Sequence, residues 1–138
     1  MSEREIVRVR DVMTDHFVLI EGLVTVAEAL AKMRTAEIKA LLVDKRHDDD
    51  EYGIVLLSDI ARQVLAKNRP PERVNVYEIM SKPVLSIRPA MDVRYCARLF
   101  DKFGLNLAPV IDDGPVLGIV TYSDMVLRGL NLDGRGGG

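Results

Sequence analysis

The stretch that decides the fold reads LGIVTYSDM at residues 117–125, because the chain repeats almost the same phrase, YGIVLLSDI, at residues 52–60. In each copy a glycine precedes three or four apolar residues, as a buried strand requires. Ser-Asp then predicts a helix start, since both side chains can accept hydrogen bonds from unpaired backbone N–H groups. Only the second copy has a hydroxyl at the fourth position, counted from its glycine: Thr121, where the first copy has Leu56.

The duplication extends along the rest of the chain. VRDVMT at residues 9–14 returns as VYEIMS at 76–81, an offset of 80 − 13 = 67, and the candidate strand FVLI at 17–20 is answered by VLSI at 84–87. Further strands are predicted over residues 38–43 and 105–111, and closing helices over 58–66 and 123–130. The pattern is strand, helix, strand, strand, helix, given twice.

Each repeat also contains an amphipathic helix before its second strand. The apolar residues recur at i, i+3, i+4 and i+7, which places them on one helix face. They are Val26, Ala29, Leu30 and Met33 in the first repeat and Val93, Cys96, Ala97 and Phe100 in the second. Thr25 with Glu28 predicts a capping box, and Asp92 predicts the second N-cap.

The domain organisation follows from these repeats. We predict an N-terminal arm at residues 1–8, repeats at 9–66 and 74–131, a charged, proline-containing linker at 67–73, and a disordered glycine-rich tail at 132–138. The expected fold class is α+β, a β-α-β-β-α unit present twice.

Composition narrows the possible functions. The 138 residues are 48% hydrophobic, enough for a core, and 19 basic and 21 acidic residues are interspersed, which argues against a nucleic-acid surface. Cys96 is the only cysteine, so an internal disulfide and a multi-thiolate metal site are excluded, and we read it as a buried core residue rather than a redox sensor. We expect no membrane span, no metal site and a cytoplasmic location.

The closing motif of the second repeat carries the candidate binding chemistry. If Thr121 and Ser123 lie on an extended segment they point to the same side, and Asp124 follows where the helix begins. A carboxylate can accept both vicinal hydroxyls of a ribose, while hydroxyls and a helix N-terminus suit a phosphate. The residues alone leave open that Ser-Asp is only an N-cap.

The order and spacing of these motifs resemble the cystathionine β-synthase (CBS) domain, and two in tandem resemble the CBS pair, or Bateman module. The resemblance rests on the opening motif at 9–13, the P-V-hydrophobic-D strand at 108–112 and the G-hydrophobic-hydrophobic-T-x-x-D motif at 118–124. The first repeat departs from the pattern at Leu42 and Leu56. The resemblance implies a stand-alone pair with pseudo-twofold symmetry, packed sheets and clefts between the repeats.

The resemblance also implies a regulatory function. The expected ligand is adenosine-containing: AMP, ADP, ATP or S-adenosylmethionine. The implied principal site comprises Thr121, Ser123, Asp124, Thr14, Phe17, Val18, Ile38 and Lys39, and a weaker mirrored site comprises Asp59, Ser81, Val84, Leu105 and Asn106. We expect one dominant site per chain, because Leu56 removes a hydroxyl from the mirrored site.

Three functional hypotheses remain from the sequence. The favoured one is a sensor that is not an enzyme and signals to a separate, unidentified partner protein. The alternative is a ligand-free interaction or dimerisation module. A small hydrolase or transferase is disfavoured, because no nucleophile–base pair is apparent. We also expect a homodimer, with the two apolar helix stripes as candidate surfaces.

Overall fold

The computed structural model describes residues 5–38, 40–82 and 85–130, so the predictions for Lys39, Val84 and the tail at 132–138 lie outside the described residues. Its elements are helix α1 (Val9–Val12), strand β1 (Leu19–Ile20), helix α2 (Val26–Ala36), strands β2 (Ala40–Val43) and β3 (Gly53–Leu56), helix α3 (Leu57–Ile60) continued by a π-helical turn (Ala61–Leu65), 3₁₀ turns at Pro71–Arg73 and Val76–Glu78, helix α4 (Val93–Phe103), strands β4 (Leu107–Ile111) and β5 (Val116–Thr121), and helix α5 (Tyr122–Gly129). None of the helices in these ranges is long and apolar enough to cross a membrane.

The described residues form two compact units that do not coincide with the repeats. The first unit comprises residues 17–82, and the second comprises residues 5–16 and 85–130. The opening motif of each repeat hydrogen-bonds to the other repeat, just before its first long helix: Val9 N donates to Met91 O at 2.8 Å, and Val76 N donates to Val24 O at 2.8 Å. The predicted boundaries 9–66 and 74–131 refer to the sequence repeats rather than to these compact units, and they stay a prediction.

The first unit is a three-stranded sheet covered by α2. Strand β1 pairs in parallel with β2, which pairs antiparallel with β3. Helix α2 buries Val26, Ala29 and Met33 in the unit's core, as the apolar spacing predicts. The predicted capping box is confirmed: Glu28 N donates to Thr25 Oγ1 and Thr25 N to Glu28 Oε1, both at 3.1 Å.

The second unit has an antiparallel pair, β4 and β5, covered by α4 and α5. Helix α4 buries Val93, Cys96 and Phe100. The Asp92 carboxylate caps this helix as predicted, accepting from Arg94 N at 2.8 Å. Each unit therefore has its own core.

The predicted strand at 84–87 is wrong in extent. Of its described residues, 85–87, only Ile87 forms a bridge, with Val110, in which Ile87 N donates to Pro109 O at 2.9 Å. A turn follows at once, because Met91 N donates to Arg88 O at 3.1 Å. Pairing therefore ends after one residue.

The helix stripes proposed as dimer surfaces are also wrong in that role. Five of the eight side chains are at most 3% exposed, Val93 is 9% exposed, and Leu30 and Ala97 are partly buried against the cores. Each stripe packs into the core of its own unit, so neither is available to contact a second chain.

Candidate ligand site

Thr121 and Asp124 form the centre of the candidate site in the second unit. Thr121 ends β5 and caps α5: its Oγ1 accepts from Asp124 N at 3.1 Å. In return, Asp124 Oδ2 accepts from Thr121 N at 3.2 Å and from the Thr121 hydroxyl at 3.0 Å. This reciprocal capping box follows from the T-x-x-D spacing, which satisfies otherwise unpaired backbone donors at the helix start.

The helix begins earlier than predicted, and the position of Ser123 changes with it. Thr121, rather than Ser123, is the N-cap, so Ser123 lies in the first turn of α5 with an exposed side chain. The prediction that Thr121 and Ser123 share one side of an extended segment is wrong for that reason. Successive helical residues project about 100° apart, so Ser123 and Asp124 flank the N-terminus of α5.

Thr14 lies beside the strand that leads to Thr121. Its backbone pairs with Ile119 in both directions, with each N···O distance 2.9 Å. The Thr14 hydroxyl oxygen accepts from His16 N at 3.0 Å. This pairing requires a glycine at position 118, immediately before Ile119, because a Cβ on Gly118 would lie 2.6 Å from the Thr14 carbonyl oxygen.

Arg128 provides a second tie between the Thr14 segment and α5. Its Nη1 donates to Val12 O at 3.0 Å and to Met13 O at 3.2 Å. The structure therefore brings Thr14, Thr121, Ser123 and Asp124 into one unit. Sequence reasoning did not identify Gly118 or Arg128 as residues that support this arrangement.

Phe17, Val18 and Ile38, the other predicted contacts that fall within the described residues, lie in the first unit. Val18 O accepts from Leu42 N at 3.0 Å, and Ile38 N donates to Met33 O at 3.1 Å. Val18 and Ile38 pack against the same core cluster, and Phe17 is half-buried. Their participation in the site stays a prediction.

The mirrored site has the same backbone in the first unit but different side chains. Ser81 pairs with Ile54 as Thr14 pairs with Ile119, at 2.7 and 2.9 Å. Leu56 holds the N-cap position of α3 and has no side-chain acceptor, so only half of the box remains: Leu56 N donates to Asp59 Oδ2 at 2.8 Å.

The carboxylate of the mirrored site, Asp59, forms an ion pair with Arg62. Arg62 Nη2 donates to Asp59 Oδ1 at 2.8 Å, and Asp59 is only 7% exposed. The i, i+3 spacing of Asp and Arg on a helix is visible in the sequence and could have predicted this pair. The other predicted residues of the mirrored site, Leu105 and Asn106, belong to the second unit, where Asn106 O accepts from Tyr122 N at 3.3 Å.

The Cys96 thiol and the acidic loop around Asp50 are two further groups that could have had a redox or metal-binding role. Cys96 is fully buried, and burial raises the pKa of its thiol to about 11, which keeps it protonated at neutral pH. In the acidic loop, hydrogen bonds from Arg46 and Lys82 hold the pKa of Asp50 far below its usual value. Among the described residues, no three His, Cys, Asp or Glu side chains converge as a metal site.

The described residues form a duplicated α+β fold in which a strand runs directly into a helix in each unit. The family model for the CBS domain matches residues 9–66 and 76–130. The chain belongs to the CBS-domain family and contains a tandem pair of these domains, which are regulatory modules.

Relatives found by sequence share the pair within longer proteins. An uncharacterized protein of Methanopyrus kandleri is 30% identical over 74% of this chain and 52% of its own length. An L-aspartate semialdehyde sulfurtransferase of Methanosarcina acetivorans is 36% identical over 85% of this chain, but over only 23% of the enzyme. The chain spans about half the length of the first archaeal relatives that it matches.

Two solved structures are similar to the chain. A hexameric CBS-CP12 protein from bloom-forming cyanobacteria is 37% identical, with a TM-score of 0.86 over 93% of this chain and 74% of that one. The CBS domain pair of protein MJ0100, in complex with 5′-methylthioadenosine and S-adenosyl-L-methionine, is 27% identical, with a TM-score of 0.76 over 89% of this chain and 95% of that one.

Proposed function

We propose that this chain is a regulatory sensor of an adenosine-containing ligand, which is AMP, ADP, ATP or S-adenosylmethionine. The ligand binds the second unit at Asp124, Thr121, Ser123 and Thr14. Phe17, Val18, Ile38 and Lys39 are further predicted contacts. Binding shifts the population of conformations, and a separate partner protein reads that shift. The chain itself performs no catalysis and acts in the cytoplasm.

The observation that carries this proposal is the state of Asp124. Its half-buried carboxylate is fixed by the capping box through Oδ2, and no ion-pair partner approaches it within the described residues. A carboxylate has about four acceptor positions, so it retains capacity for the two vicinal hydroxyls of a ribose. The related pair with bound S-adenosyl-L-methionine and 5′-methylthioadenosine supports this ligand class, since both molecules carry that diol.

The phosphate end of a nucleotide is assigned by proximity to the same corner. The first turn of α5 presents backbone N–H groups, and the exposed Ser123 hydroxyl lies beside them. Helix N-termini attract anions through the unpaired N–H groups and the helix dipole. Nucleotides therefore fit the corner, while S-adenosylmethionine would rely on its ribose and adenine.

A ligand-free interaction module is the second candidate. Helix α5 exposes Val126 and Leu127, and Leu130 follows at its end with 70% of its surface exposed. Side chains of this kind are typical of a surface that contacts another protein. This candidate predicts partner binding that is independent of Asp124.

A thermal-shift screen with AMP, ADP, ATP and S-adenosylmethionine separates the two candidates. A ligand at 100 times its dissociation constant should stabilise the protein by about 2.7 kcal/mol. Asp124→Asn should lose that response, because the neutral amide accepts fewer hydrogen bonds from the ribose. Asp101→Asn, which changes an exposed carboxylate on α4, is the matched control and should respond like the wild type. A response to none of the four compounds would favour the interaction module.

A further inference from the structure

The mirrored corner of the first unit differs from the proposed site in more than the missing hydroxyl. Its carboxylate, Asp59, lies in an ion pair with Arg62 at 2.8 Å, in which the carboxylate side chain is 10% exposed and the guanidinium side chain is 65% exposed. Asp59 Oδ2 accepts from the backbone and Oδ1 from Arg62, so both carboxylate oxygens are occupied.

The second repeat has no counterpart of this arginine. The closing motifs are offset by 124 − 59 = 65, so Arg62 corresponds to residue 62 + 65 = 127, which is Leu127, with 69% of its surface exposed. The neighbouring Arg128 donates to the backbone of Val12 and Met13 instead. Within the described residues, Asp124 Oδ1 therefore has no donor, whereas each carboxylate oxygen of Asp59 has one.

We infer that Arg62 closes the mirrored site by holding the carboxylate that a ribose would need, and that it determines how many adenosine ligands one chain binds. This inference rests on the proposed function. A guanidinium presents its donors in a fixed plane that suits a carboxylate, and a charge-assisted bond of this kind is stronger than one from a neutral hydroxyl. A ribose diol that binds Asp59 must displace the arginine, and its neutral hydroxyls form weaker hydrogen bonds with the carboxylate than the guanidinium does.

Burial of Asp59 makes this competition effective. An ion pair between two exposed side chains contributes little, because water screens it. Here the carboxylate is almost completely buried, so removing the arginine leaves its Oδ1 desolvated and without a donor, while Oδ2 keeps the bond from Leu56 N. Ribose hydroxyls could then supply that donor. Leu56→Thr alone restores the hydroxyl of the motif but leaves the carboxylate paired.

The test isolates the mirrored site in an Asp124→Asn background, with AMP and S-adenosylmethionine as probes in calorimetric titrations. In this background we compare Leu56→Thr alone with Leu56→Thr combined with Arg62→Leu, which introduces the residue type found at position 127. The double substitution should bind at least about tenfold more tightly than Leu56→Thr alone, the equivalent of one charged hydrogen bond. Leu56→Thr with Arg34→Leu controls for loss of an exposed arginine in the same unit.

Arg62→Gln provides a second variant in case Arg62→Leu does not fold. It removes the positive charge but keeps a donor, so its affinity should fall between those of the arginine and leucine variants. Equal affinities with Arg62→Leu and with Arg34→Leu would overturn the inference, as would a full second site from Leu56→Thr alone. If the protein with native Asp124 and Arg62 binds neither probe, the proposed function fails. Binding gained with Arg62→Leu would still support the inference in that case, and no gain would overturn it.

Discussion

Gly118 shows how a single missing side chain allows the candidate site to form. A Cβ there would lie 2.6 Å from the backbone oxygen of Thr14, which cannot move without breaking its pairing with Ile119. At the equivalent Gly53, a Cβ would meet the Met80 sulfur at 2.7 Å, the flexible part of a side chain. The same glycine of the motif is therefore under different constraints in the two units.

We predict that Gly118→Ala is the more damaging of the two substitutions. It should lower the free energy of unfolding by about 2–3 kcal/mol, the upper range for an overpacked site, against about 1 kcal/mol for Gly53→Ala. It should also weaken ligand binding, because Thr14 is displaced. Urea unfolding followed by circular dichroism measures both values, and a smaller cost at Gly118 than at Gly53 would contradict the prediction.

Cys96 makes stability depend on pH in the alkaline range. Burial raises its pKa from 9.0 to about 11, so the folded state keeps the proton after the unfolded state has lost it. Between pH 9 and 11 the unfolded state therefore gains an advantage of about 3 kcal/mol, at 1.36 kcal/mol for each pKa unit. This contribution is fully present below pH 9 and is lost as the pH rises towards 11.

Cys96→Ala should remove that alkaline loss. We expect the substitution to cost about 1 kcal/mol at pH 7, since it deletes a buried sulfur, and to leave the ligand response intact. The difference in unfolding free energy between wild type and variant should then shrink or reverse by pH 11. An oxidant-dependent change in oligomeric state that is lost in the variant would instead indicate a redox role.

At the level of elements, α2 and α4 end in the same way with different residues. Both have 11 residues and stop at a left-handed residue, Glu37 with φ 57° and Gly104 with φ 66°. Only glycine adopts this conformation without steric cost, and nothing lies within 4 Å of a Cβ built on Gly104.

Glu37→Gly should therefore stabilise the protein by about 0.5–1 kcal/mol, and Gly104→Ala should destabilise it by about 1 kcal/mol. The midpoints of urea unfolding check both directions. Glu37→Ala is the control, because it removes the carboxylate but keeps the Cβ and so should not stabilise. Stabilisation by alanine equal to that by glycine would show that charge, rather than backbone strain, is responsible.

The elements also show which features a sequence can predict. The stripes of α2 and α4 and the caps at Thr25 and Asp92 depend on residues three or four apart, so their spacing is sufficient to predict them. The start of α5 was missed because Thr121 and Ser123 are both good caps, and only the reciprocal bonds with Asp124 distinguish them.

Non-local features could not be predicted from spacing. The pairing of Thr14 with Ile119 joins residues more than 100 positions apart, and no local propensity specifies it. Pairing of this kind places the opening motif of each repeat in the unit that contains the other repeat's strands, so the repeats predicted most of the elements without predicting how the units are composed. The principal site was predicted from the family resemblance, while the role of Arg62 required the geometry of its bond to Asp59.

At the scale of the whole molecule, a homodimer would need a different surface from the one first expected. The stripes of α2 and α4 are buried in their own units. Helix α5 instead exposes Val126, Leu127 and Leu130 beside a small apolar groove of about 150 Å³ between α4 and α5. The similar CBS-CP12 protein is hexameric.

We predict that the protein is a dimer at micromolar concentration and that Leu127→Glu dissociates it, because a charge placed in an apolar interface has to be desolvated. Sedimentation equilibrium should give twice the chain mass of 15.4 kDa for the wild type and a value near 15.4 kDa for the variant. Leu65→Glu, a change at a leucine 77% exposed in the first unit, is the control and should remain dimeric. A monomeric wild type would refute self-association, whereas dissociation by Leu65→Glu but not by Leu127→Glu would move the interface to the first unit.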